Sequence, residues 1–205
     1  IGTVWMGINP YDEFDSLPKP SFEPQGWCGS NHHFLHLKPE AKRVAEIGVW
    51  KGASVIELAK SHPQAEVLAV DHFRGSSEHW LKPCWRGDIG DLYRQFISNI
   101  ILADLEERVV PFPTDSLSAA SFCTDMGLQF DLIHIDGAHS FWAVIADLHA
   151  WSDLLEDDGI IVMDDYHTAW SEVIEATNQF CRNAGFAVTR IDGNKATIER
   201  RDGKH

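Results

Sequence analysis

Asp131-Leu-Ile-His-Ile-Asp136-Gly137-Ala138-His139-Ser140 and Gly159-Ile-Ile-Val-Met163-Asp164-Asp165-Tyr166-His167 share one design, an apolar, β-branched run that stops at an acid. Runs apolar nearly throughout are what central strands covered on both faces require. Residues 141–155 between them carry helical periodicity, so the stretch reads as strand, helix, strand. The same alternation extends outward on both sides. Upstream, strands over 43–47, 66–70 and 108–111 alternate with helices over 53–60, 88–105 and 116–126. Downstream, a helix over 169–183 breaks at Gly185, and strands over 186–191 and 195–200 flank Asp192-Gly193-Asn194, a hairpin turn sequence. The prediction is an α/β fold, Rossmann-like and doubly wound, with a mostly parallel seven-stranded sheet and a C-terminal antiparallel hairpin.

Residues 1–30 read differently. Pro18, Pro20 and Pro24 punctuate a stretch rich in aromatics, which predicts an irregular N-terminal arm, with 31–205 forming a single domain. Residues 72–90 are long for a strand-to-helix connection and carry Trp80 and Trp85, a candidate lid over the carboxyl edge of the sheet.

Composition narrows the chemistry. The chain has 205 residues, 44% of them hydrophobic, and a formal net charge of −14. That core content excludes a disordered or coiled-coil chain, and the charge opposes binding to a phosphate backbone, so no nucleic acid is expected. No stretch approaches the ~18 apolar residues of a membrane span. Cys28, Cys84, Cys123 and Cys181 form no CxxC pair, which favours reduced thiols and a cytoplasmic setting.

Three constellations carry the candidate site. Glu46-Ile-Gly48-Val-Trp50-Lys-Gly52-Ala-Ser54 ends a strand in a glycine turn and opens a helix whose N–H groups can meet an anion. An ordinary strand-to-helix turn reads the same, and the G-x-G-x-x-G of a dinucleotide site is missing. Asp71 closes the second strand, where an acid accepts from two ribose hydroxyls, although a helix-capping Asp is the plainer alternative. Asp136, Asp164 and Asp165 end neighbouring strands ~4.8 Å apart, where three anions repel unless a cation joins them. Hard oxygen ligands favour Mg²⁺, and His139 would stand beside the ion as a general base. The competing reading has Asp136 capping the next helix and Asp164-Asp165 opening a solvated loop. His134 reads as a core histidine, and His32, His33 and His36 as one face of a short helix. His62 and His149 read as surface residues, and Glu156-Asp157-Asp158 as a solvated helix end.

In order and spacing, Glu46-Ile-Gly48, Gly52-Ala-Ser54, Asp71, Asp115-Ser116, Asp136-Gly-Ala-His139 and Asp164-Asp165-Tyr166 resemble a class I S-adenosylmethionine-dependent methyltransferase. The similarity is closest to metal-dependent O-methyltransferases of the catechol and macrolide-sugar types, over residues 44–166. The resemblance implies that Glu46, Gly48, Trp50 and Gly52 surround the methionine part of the cofactor and that Ser54 meets its carboxylate. It implies Asp71 at the ribose, His72, Asp115 and Ser116 at the adenine, and Asp136, Asp164 and Asp165 on a divalent ion. Asp136 and His139 would then act on a small hydroxylated acceptor, and a homodimer is one arrangement such enzymes allow. Catechol-type enzymes carry Asn where Asp165 stands and Lys where His139 stands. A nicotinamide-dependent oxidoreductase and a metal-using hydroxylase of the same superfamily are the rival readings.

Overall fold

The computed structural model describes residues 9–12, 37–81 and 89–201. Its strands are β1 (Arg43–Ile47), β2 (Glu66–Val70), β3 (Val109–Phe112), β4 (Phe130–Ile135), β5 (Leu155–Met163), β6 (Phe186–Asp192) and β7 (Lys195–Arg200). They form one sheet in the order β3-β2-β1-β4-β5-β7-β6. The first five are parallel, and β7 joins β5 and β6 antiparallel. The helices are α1 (Ala53–Ser61), α2 (Ser77–Leu81), α3 (Leu92–Leu102), α4 (Ser116–Asp125), α5 (Phe141–Ser152) and α6 (Ser171–Asn183). The doubly wound architecture read from the sequence is therefore present.

The period-two alternation of side chains splits the core in two. Val44, Val67, Leu132, Ile160 and Val162 pack with α1 and α3 on one face. Ala45, Leu68, Ile133, Ile135 and Ile161 pack with α4, α5 and α6 on the other. Because β1 sits mid-sheet and successive connections leave it in opposite directions, a crevice opens between β1 and β4 at the carboxyl edge.

Several boundaries differ from expectation. The helix expected to run to Leu155 stops at Ser152, because Leu155 pairs with Phe130 and draws the chain into β5. Glu156-Asp157-Asp158 is thereby strand, not helix end; Asp158 meets Lys38 Nζ at 2.7 Å on the exposed side. The helix expected from Ala169 begins as a 3₁₀ turn, Thr168–Trp170, ahead of α6. His62 is buried, with its ring nitrogens 2.9 and 2.7 Å from the carbonyl oxygens of Leu58 and Leu37, so it is no surface residue.

Of the N-terminal arm, Tyr11 is buried and its hydroxyl donates to the Val109 carbonyl at 2.6 Å. Residues 1–8 and 13–30 of the arm, the His32-His33-His36 cluster and residues 82–88 of the lid lie outside the described residues. Within the described lid, α2 docks His79 on Trp50, ring centroids 4.2 Å apart and stacked.

Candidate active site

Strand register decides which acids meet. Ile47 pairs with Val70 and Ile135, and Ile135 pairs with Met163. The next residues, Asp71, Gly48, Asp136 and Asp164, consequently form a row across β2, β1, β4 and β5. Backbone bonds continue along it: Gly48 N–H donates to Val70, Asp136 N–H to Ile47 and Asp164 N–H to Ile135. On the far side, Met163 pairs with Ala196, which brings Lys195 beside Asp164.

One end of the row opens into a cavity of about 300 Å³ whose walls include Gly48, Asp71, His72, Asp115, Ser116, Gly137 and Asp147. Gly48 has φ +85°, and a Cβ there would fall 2.1 Å from the Asp136 carbonyl oxygen, so only glycine lets β1 turn beneath this cleft. Asp71 accepts the Trp50 N–H at 3.0 Å and the Phe73 N–H at 2.7 Å, and burial raises its pKa above the ordinary carboxylate value. Asp115 caps α4, accepting from Ser118 N–H at 3.0 Å and Ser118 Oγ at 2.7 Å. Glu46, Trp50, Gly52 and Ser54 do not line the cavity. Ser54 spends its hydroxyl on the Glu46 carboxylate, inside the protein, instead of presenting it to the cleft as the resemblance implied.

Asp147, from α5, was not singled out in the sequence. It sits on the apolar stripe Val144, Asp147, Leu148, Trp151, and an acid on such a stripe is the signal that could have found it. The Trp151 Nε1–H donates to Ser116 Oγ at 2.9 Å, and Ser116 in turn bonds Asp147. Burial pushes the Asp147 pKa up to about 6, against an opposing pull from Ser116. A carboxyl whose folded pKa is raised binds protons more tightly in the folded state, so it destabilises the fold above pH 6 and ceases to do so near pH 4. Asp147→Asn should therefore raise stability at pH 7.5 by roughly 1–3 kcal/mol, with no gain at pH 4, measured by urea denaturation. A variant no more stable than the parent at pH 7.5 would contradict this.

The other end of the row is a buried charge network. His134 lies with Nδ1 3.4 Å from Glu46 Oε1 and Nε2 3.2 Å from Asp164 Oδ2, all three side chains buried. Burial lowers the His134 pKa, but the flanking Glu46 and Asp164 carboxylates outweigh it and raise the value to about 9. Asp136 is pushed well upward by burial and by the neighbouring Asp164 carboxylate. Asp164 itself is buried, yet His134 and Lys195 hold its pKa below the ordinary value. Stability from His134 is complete below about pH 6.5 and is lost as pH rises through 9, on the order of 3 kcal/mol. Unfolding free energy should fall over that window and the slope should flatten in His134→Gln; equal slopes in both proteins would refute the pairing.

Asp164 accepts four donors. Oδ1 takes Asp165 N–H at 2.7 Å and Asn194 Nδ2 at 3.0 Å, while Oδ2 takes His134 Nε2 at 3.2 Å and the Lys195 ammonium. A carboxylate offers about four lone-pair sites, so none remains for an ion. A divalent ion about 4 Å from that ammonium would be repelled by roughly 8 kcal/mol even at an effective dielectric of 20.

Asp165 faces the other way. His139 Nε2 lies 2.8 Å from Asp165 Oδ2, the His139 ring stacks on Trp170 at 4.1 Å, and His167 Nε2 approaches Asp165 Oδ1 at 3.3 Å. Burial raises the Asp165 pKa, and the contact and charge of His139 together with Asn194 outweigh it, leaving it lowered. Among the described residues, donor atoms within 4.8 Å of one another fall into two sets, His134-Asp136-Asp164 and Asp136-His139-Asp165. The three carboxylates expected to share an ion are split between these sets. The first already contains the Lys195 cation, and in the second His139 and Asp165 stand in ion-pair contact. Asp136, Asp164 and Asp165 thus do not come together as the single set of ligands that the resemblance implied. Lys195, which decides this, was missed because nothing local distinguishes a lysine opening a hairpin strand.

A doubly wound sheet with a glycine-floored cleft and an acid at the end of β2 is the arrangement that binds nucleoside-bearing cofactors. Residues 45–166 match the model of a methyltransferase domain family, and the chain belongs to that family, the class I S-adenosylmethionine-dependent methyltransferases. Among solved structures it is similar to cofactor-bound Rv0187 from MTB, with TM-score 0.66 and 20% identity over 94% of this chain and 87% of that one. It is also similar to the O-methyltransferase from Bacillus cereus in complex with SAH, with TM-score 0.60 and 16% identity over 97% and 98%. A third is the SAH-bound Podospora anserina methyltransferase PaMTH1, with TM-score 0.62 and 15% identity over 90% and 81%. Identities this low speak for a common fold.

Proposed function

We propose that this methyltransferase acts on oxygen, methylating a hydroxyl of a small acceptor with His139 as general base and Asp165 as its orienting partner. The 2.8 Å contact between His139 Nε2 and Asp165 Oδ2 carries the reading. The Asp165 carboxylate, in ion-pair contact with Nε2, stabilises the imidazolium that forms when a hydroxyl proton is taken. A hydroxyl needs such a base, since the neutral group is a weak nucleophile. The stack on Trp170 holds the imidazole plane and leaves an aromatic wall suited to a planar acceptor or a sugar.

S-adenosylmethionine, when bound, supplies an electrophilic methyl group on a sulfonium. The cavity beside Gly48 suits its adenosyl part: Asp71 is placed for the ribose hydroxyls, and His72, Asp115, Ser116 and Asp147 border the far end. No helix among the described residues is long and apolar enough to cross a membrane. The cytoplasmic setting belongs to the same proposal, supported by Cys123 and Cys181 as buried free thiols.

Mg²⁺ dependence, expected from the resemblance, is not part of this reading, because Asp164 is saturated. The test is calorimetry with S-adenosylhomocysteine, followed by transfer of labelled methyl to a panel of catechols, sugars, amines and thiols. Binding together with transfer to hydroxyls alone is expected. Transfer confined to amines or thiols would overturn the oxygen assignment, and binding of nicotinamide dinucleotides instead would overturn the cofactor cleft.

A further inference from the structure

Lys195 is 3% exposed, and its ammonium bonds a carboxylate that is itself buried at the catalytic edge of the sheet. An ammonium taken so far from water stays charged only with an anion against it, and Asp164 is that anion. The neighbouring Asn194 bridges Asp164 at 3.0 Å and Asp165 at 3.3 Å, and its carbonyl receives the Tyr166 N–H at 2.7 Å. The β6-β7 turn is thus clamped onto the end of β5, and it delivers a positive charge to the place where acids of adjoining strands converge.

We infer that Lys195 is a resident cation standing where related enzymes would need a divalent ion, so the acidic edge is balanced by the chain itself and binds no such ion. Along the network negative and positive groups alternate, Glu46, His134, Asp164 and Lys195, while Asp165 is matched by His139. A metal would have to displace a buried ammonium, not water. The consequence for the reaction is that proton removal rests on the His139-Asp165 pair. The inference builds on the membership of the methyltransferase family, but its test needs no acceptor and so fails or stands separately from the oxygen assignment.

The test is a Mn²⁺ titration followed by electron paramagnetic resonance on the full chain and on Lys195→Met and Lys195→Arg. Binding of S-adenosylhomocysteine certifies that each variant is folded. The parent and Lys195→Arg should bind Mn²⁺ no tighter than millimolar, and Lys195→Met at least tenfold tighter, because its carboxylates lose their cation. Micromolar affinity in the parent, or equal affinities in the Met and Arg variants, would overturn the inference. Should Lys195→Met fail to fold, the parent decides: micromolar binding refutes the proposal, and millimolar or weaker binding that leaves S-adenosylhomocysteine affinity unchanged by a chelator upholds it.

Discussion

His139→Gln should lower the methyl-transfer rate by roughly 10²–10⁴-fold, the range over which a positioned general base contributes, while leaving the affinity for S-adenosylhomocysteine within about twofold. The glutamine keeps a polar group of similar reach but cannot take a proton. Its effect separates from cofactor binding because the base lies at the β4 and β5 ends, next to Asp165 and Trp170, and the cavity beside Gly48 is walled by other side chains. Asp165→Asn should weaken turnover in the same direction, since an amide can hold the ring but cannot stabilise the imidazolium. Single-turnover kinetics at saturating cofactor is the measurement. A variant at position 139 that retains turnover within threefold of the parent would remove His139 from the mechanism.

Gly48→Ala should be the most damaging small substitution in the sheet. The added methyl would lie 2.1 Å from the Asp136 carbonyl oxygen, 2.6 Å from its carbon and 2.8 Å from Gly137 Cα, on a residue with φ +85°. These are backbone atoms of the next strand end, so relief requires moving the row that carries Asp136. A loss of roughly 4 kcal/mol or more is expected, lowering Tm by about 10 °C and abolishing cofactor binding. Gly127→Ala isolates the backbone effect: φ is +61° there, but a Cβ would meet nothing within 4 Å. It should cost only about 1 kcal/mol. Similar losses from the two substitutions would show that conformational strain, not collision, governs Gly48.

The elements were readable because their causes are local. Apolar runs with period two and helical stripes mark β1 to β5 and their helices, and Asp192-Gly193-Asn194 marks the hairpin. The misplaced boundary at Leu155 has a cause that is not local: pairing with Phe130 captures Leu155 for β5, and with it three acids that resemble a helix end. His62 likewise looked solvated because the Leu37 carbonyl that meets its Nε2 comes from a separate segment ahead of β1.

The site divides in the same way. That Asp71, Gly48, Asp136 and Asp164 end successive strands follows from the sequence, since each stands at the close of an apolar run and parallel strands align their carboxyl ends. Which partner each side chain takes depends on side chains far away along the chain. Asp164 meets a lysine 31 residues later, Glu46 is drawn inward by Ser54 and His134, and Asp147 enters the cleft from α5. The order of chemistry along the edge is thus written in the chain, whereas the balance of charge there is decided only when β7 docks against β5. Electrostatic energy depends on separation in space and on burial, and neither quantity exists for an extended chain.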